Sequence, residues 1–186
     1  MKFIARLLLL FTMCITLGCQ LISYQKKDYP YELLLNAADL PDGYVYSDSD
    51  FPEIDGGKSI EVYFKRDTGE LGTSIIHQIY IYTDEQKATQ SFYVLENELF
   101  FDEWKVNSEI DYQPNNFEDK INISCVPIYS SSRDLEHCIL LQQHKNLIFT
   151  ISVVIDNNYL NLSEFSEIAN VADGKLSDEI IPMPND

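Results

Sequence analysis

The chain has 186 residues and a formal charge of -17, with 13 Lys and Arg against 30 Asp and Glu. Such acidity opposes binding to nucleic acid phosphates and to anionic lipid heads. With 12 Tyr and 10 Phe it carries too much apolar surface for a disordered acidic tail.

The chain opens with two cations, Lys2 and Arg6, and then an almost unbroken apolar run from Leu7 to Leu17. A bilayer-spanning helix needs about 20 apolar residues, so this run is short for a span and suits a signal peptide. It ends in Thr16-Leu17-Gly18-Cys19, a small residue directly before a cysteine. This resembles the lipobox of bacterial lipoproteins, in which that cysteine is acylated. Thr16 and Leu17 stand where the family usually has Leu and a small residue. Cys14 is the competing cysteine, but Met13 before it is too large for the usual processing site. An uncleaved signal anchor, or cleavage nearby by ordinary signal peptidase, are the alternatives.

The resemblance covers the first twenty residues. It implies a signal peptide over 1–18 and a diacylglyceryl group on Cys19, often with a third chain. Several acyl chains together make a lasting membrane anchor. The residue after Cys19 is Gln20 rather than Asp. By analogy with Gram-negative sorting, that permits transfer to an outer membrane; otherwise the protein sits on the outer face of the cytoplasmic membrane. Loss of 1–18 leaves about 168 residues, and losing Lys2 and Arg6 moves the charge from -17 to -19. That length fits one domain with one core.

Residues 19–30 read as a lipidated tether, 31–176 as a single globular domain and 177–186 as a loose tail. Glu32 to Ala38 is a short helix candidate, stopped by Pro41 and Gly43. Tyr44-Val45-Tyr46 opens a first strand, and 47–58 reads as a loop rich in Asp, Gly and Pro. Ser59 to Lys65 alternates, with Ile60, Val62 and Phe64 on one face. Thr73 to Tyr82 is a strand by its β-branched and aromatic content. Thr83-Asp84-Glu85-Gln86 resembles a capping box with Thr83 as N-cap. The helix it opens carries Ala88, Phe92, Leu95 and Leu99 on one stripe. Strands over 120–128 and 135–143, a strong strand over 147–155 and a last helix over 162–175 follow. The pattern predicts an α+β domain: an antiparallel sheet of five to six strands with two main helices packed on one face. Strands followed by a helix occur twice, a rhythm compatible with an internal duplication.

With Cys14 lost and Cys19 acylated, Cys125 and Cys138 remain, an even pair for an oxidising compartment. A hairpin centred between Ser131 and Ser132 sets them directly opposite one another, which predicts a disulfide. Two free buried thiols, or two metal ligands beside His137, are the alternatives. No cofactor and no complete metal ligand set is read from the sequence. The loop Asp48-Ser49-Asp50-Phe51-Pro52-Glu53-Ile54-Asp55 concentrates oxygen ligands but misses the EF-hand spacing, so a solvated acidic loop is favoured over calcium binding.

No phosphate loop and no nucleophile elbow is present. His77 lies mid-strand on the face that alternation assigns to the core, and His144 falls in a turn. The feature that suggests function is the opposite face: Tyr63, Gln78, Tyr80 and Tyr82, with Thr150 and Ser152 beside them. Tyr rings that offer area plus a hydroxyl suit recognition of a protein or a sugar. An ordinary half-exposed sheet would have the same composition. The favoured reading is a lipid-anchored, extracytoplasmic, non-enzymatic binding module, tied to the membrane by its lipid, with a protein or carbohydrate partner and no nucleic acid. The alternatives are a small hydrolase using carboxylates or a carboxylate–histidine pair around His77, and a structural envelope lipoprotein.

Overall fold

The computed structural model describes residues 31–66, 73–101, 104–106, 110–116, 118–129 and 134–177. The lipobox, the tether through Pro30, the Ser-rich turn at 130–133 and the tail from 178 lie outside the described residues. Glu32–Asp186 forms a compact unit.

Six strands make one antiparallel sheet. They are β1 (Val45–Asp50), β2 (Gly57–Arg66), β3 (Thr73–Tyr82), β4 (Lys120–Tyr129), β5 (Asp134–His144) and β6 (Leu147–Ile155). Their order across the sheet is β1-β2-β3-β6-β5-β4. Two helices accompany them, α1 (Glu85–Leu99) and α2 (Leu162–Ser177). The class is mixed α+β, as the patterning predicts.

The register sorts every strand residue onto one of two faces, because paired residues share a side and neighbours along a strand alternate. Ile60, Val62 and Phe64 of β2 pair with Ile79, His77 and Ile75 of β3. Those in turn pair with Phe149, Ile151 and Val153 of β6. All are buried, and they define the first face. Phe165, Ile168, Ala169 and Ala172 of α2 are buried too. Asp173 of α2 reaches Gln142, which pairs with Phe149, so α2 lies on this first face.

Helix α1 covers the other face. Its Ala88 and Phe92 form one cluster with Tyr80, Tyr82, Leu141 and Ile148. Thr89 accepts from Gln143, and Glu96 accepts from Asn122. These partners alternate with the first-face residues. The expectation of both helices on one face is therefore corrected: the sheet is a middle layer with one helix against each side. The cause is legible in β3, where Tyr80-Ile81-Tyr82 is apolar without alternation and all three are buried. The strand order is symmetric about the β3–β6 pair, but the helices do not share that symmetry.

Local differences have local causes. The 32–38 helix candidate is two 3₁₀ turns, Tyr31–Leu33 and Ala37–Asp39, the second capped by Asn36 and Asp39 reciprocally. The N-cap of α1 is Asp84, not Thr83; its carboxylate accepts from the Lys87 amide at 2.7 Å. The first strand runs on through Asp50, with a register shift between Tyr46 and Asp48.

Cys125 and Cys138 are joined, as the hairpin register predicts. Cys125 exchanges both backbone hydrogen bonds with Lys105 on its outer side, at 2.9 and 3.0 Å. Its pair with Cys138 is therefore a non-hydrogen-bonded one, where Cα atoms approach most closely. Their separation is 4.1 Å. The Glu136 carboxylate comes within 4.8 Å of both sulfurs, but the bridged cysteines present no thiolate to a metal. His137 points to the opposite face.

Candidate functional site

Helix α1 does not cover its whole face. It lies over the half that carries Tyr80, Tyr82, Ile148 and Leu141. Tyr80 and Tyr82 are 8% and 4% exposed, which corrects their assignment to an open recognition surface. Burial pushes the hydroxyl pKa of both upward. Thr150 is buried as well. Tyr63 and Gln78, the other two residues of the expected surface, stay half-exposed, and so does Ser152.

The half that α1 leaves uncovered carries a half-exposed strip on three adjacent strands, β2, β3 and β6, with His137 of β5 at its edge. Tyr63 of β2 pairs with Ile76 of β3, Ile76 with Ser152 of β6, and Ser152 with Ile139 of β5. Gln78 flanks this row on one side and His137 on the other. Ile139 is buried, so with about 4.8 Å between strands the open row from Tyr63 to Ser152 spans about 10 Å. Tyr63, Ile76, Gln78, Ser152 and His137 are all half-exposed.

One polar group of the strip is fixed from below, and two others hold each other side by side. The Tyr80 hydroxyl donates to Gln78 Oε1 at 2.7 Å, so a buried group orients a surface amide. The Gln78 amide nitrogen has no hydrogen-bond partner among the described residues and faces the strip. His137 Nε2 lies 2.7 Å from Ser152 Oγ. Burial holds the His137 imidazole below its ordinary pKa, so it is neutral at pH 7. The ring of Trp104 sits against it, centroid to centroid 5.2 Å. Trp104 Nε1 has no acceptor among the described residues. Sequence reasoning missed both: the place of His137 follows from the β5–β6 register, and that of Trp104 from the neighbouring Lys105–Cys125 bridge.

One end of the strip is acidic. Tyr63 shares its face with Glu61, Asp48 and Asp50. A hydrogen bond to Glu61, then partial burial and these three charges, raise the Tyr63 hydroxyl to about 12. A hollow of about 540 Å³ opens beside it, lined by Ser47 to Asp50. Asp48 and Asp50 lie in β1 rather than in a loop, and each accepts from the backbone amide of the following residue. Asp55 instead pairs with Lys87 at 2.7 Å. The expected cluster of oxygen ligands is thus spread along a strand and a turn.

The histidines expected to matter for hydrolysis stand elsewhere. His77 is fully buried, and its Nδ1 accepts from the Leu35 amide at 3.1 Å. Desolvation, then the nearby Lys175, lowers its pKa to about 3. It is a neutral acceptor that ties the 31–40 segment to the sheet, not a base. His144 ends β5 and bonds Asp119 at 2.9 Å, with only 14% and 3% of the two side chains exposed. That carboxylate's second oxygen and Asp173 both accept from the Gln142 amide. Gln142 also accepts from the buried Tyr112 hydroxyl. Each partner in this network satisfies another, which suits a fastening of the 110–119 segment and α2 to the sheet. A second cleft, of about 490 Å³, lies between residues 38–42 and the start of α2. Its Asp39 and Glu164 are already bonded to Asn36, Lys175 and Asn161.

No family model, no curated protein and no solved structure matches the chain.

Proposed function

We propose that this protein is a lipid-anchored, extracytoplasmic binding module that contacts its ligand through the strip of Tyr63, Ile76, Gln78, Ser152 and His137. The observation that carries the reading is the half-covered sheet face. The buried Tyr80 hydroxyl orients the Gln78 amide, and Ser152 and His137 hold each other in place. Recognition surfaces are built this way, with fixed groups that lose little freedom on binding. The cross-strand disulfide supports an oxidising compartment. Attachment through acylated Cys19 is the membrane contact proposed.

A hydrolase would need an accessible base. Asp119 is 3% exposed and shared between His144 and Gln142, and His77 is sealed in the core, so neither favours that reading. The test is a pull-down from membranes with the lipidated protein and with a Gln78→Ala, Ser152→Ala variant. A partner or polymer retained by the first and lost by the second supports the strip. Equal recovery of everything from both removes it, and the structural envelope role then stands.

A further inference from the structure

We infer that the strip takes an uncharged, polyhydroxylated ligand, a glycan laid across β2, β3 and β6; this rests on the binding reading above.

The charge pattern opposes an anionic occupant. The strip's own groups are neutral: an amide, a serine hydroxyl, a phenol and an unprotonated imidazole. Its β1 end is lined by Asp48, Asp50 and Glu61. Among the described residues, Lys65 is the one cation on this face next to the row, opposite Ser74 in the register. An anionic polymer would meet three carboxylates on a chain of charge -17. A cationic one would be held at the β1 end, by Asp48, Asp50 and Glu61, and not over Ile76 and Ser152.

The hydrogen-bonding pattern points the same way. Gln78 offers its amide N–H groups, with its oxygen already taken by Tyr80. Ser152 and His137 form one unit in which proton and lone pair can be exchanged between ring and hydroxyl. A sugar hydroxyl is donor and acceptor at once and matches such a mixed set; a peptide backbone would need its donors and acceptors met in fixed alternation. Ile76 between them, and the half-exposed Tyr63 ring, provide apolar area for the C–H side of a sugar ring.

Trp104 is the only tryptophan and touches His137, so its emission reports on the strip directly. The experiment titrates the whole mature protein with chitotetraose, cellotetraose and maltotetraose. At least one should change Trp104 emission saturably. Gln78→Leu and Ser152→Val should each weaken that binding about tenfold, the size expected for one lost hydrogen bond with its partner left unpaired. Gln90→Leu, on the exposed side of α1, should leave it unchanged. Saturable binding that none of the strip variants alters overturns the proposal. Silence with all three sugars, together with a protein recovered from membranes in a Gln78- and Ser152-dependent way, overturns the glycan class and keeps the strip. Silence with no variant-sensitive partner overturns both.

Discussion

The hydroxyl of Tyr80, buried under α1, donates to the amide oxygen of Gln78 on the open half of the same face, at 2.7 Å. One strand thus joins the covered and uncovered halves of the sheet through a single hydrogen bond. Tyr80→Phe should keep the fold, cost about 1 kcal/mol of stability and release the Gln78 amide to rotate. Urea unfolding measures the first effect. Weaker ligand retention than the wild type, with the helix content unchanged, would register the second.

The bridge between Cys125 and Cys138 closes a short loop, a sequence separation of 13. Removing it with the double variant Cys125→Ala, Cys138→Ala should lower unfolding stability by about 3 kcal/mol. Lys105 holds the outer side of Cys125 by two backbone bonds, so the β4 edge should stay paired in the variant. Hydrogen exchange at those two amides checks this.

His77 gives the fold a pH dependence of defined sign. Its folded pKa, about 3, lies below the ordinary 6.5, so the unfolded chain binds the extra proton between those values. Its contribution is complete above about pH 6.5 and is lost as pH falls toward 3. The slope from this group approaches about 1.4 kcal/mol per pH unit. His77→Leu should be less stable at pH 7, because the Leu35 amide loses its acceptor, yet flatter with pH. Parallel stability curves for the two proteins across that range would contradict this role.

The proposed anchor is tested separately. Metabolic labelling with a palmitate analogue should mark the wild type and fail for Cys19→Ser, which should also leave the membrane fraction. Labelling that persists in the variant would refute acylation at Cys19.

Much of the fold was legible in the sequence because strand pattern is local. Ser59 to Lys65 alternates over a face that is in fact buried on one side only, and the two cysteines fixed the hairpin register by symmetry about the 131–132 turn. What was not legible is which side each helix takes. Both helices present one apolar stripe, and a stripe does not name its partner. The sign of two-sided burial was present all the same: Tyr80-Ile81-Tyr82 and Leu140-Leu141 lack alternation. Reading those tyrosines as exposed followed from assuming a bare face. The site was legible in half. Tyr63 and Gln78 were found by alternation, whereas His137, paired with Ser152 across 15 residues, depends on the β5–β6 register. Trp104 depends on a segment with no periodic pattern at all.

The measurement that tests the central claim most directly is photo-cross-linking in intact membranes, with a photoreactive residue replacing Tyr63 on the strip or Gln90 on the outer side of α1. Binding through the uncovered half of the sheet predicts a defined adduct from position 63 and none from position 90. No adduct from 63, or the same adduct from both, would contradict it.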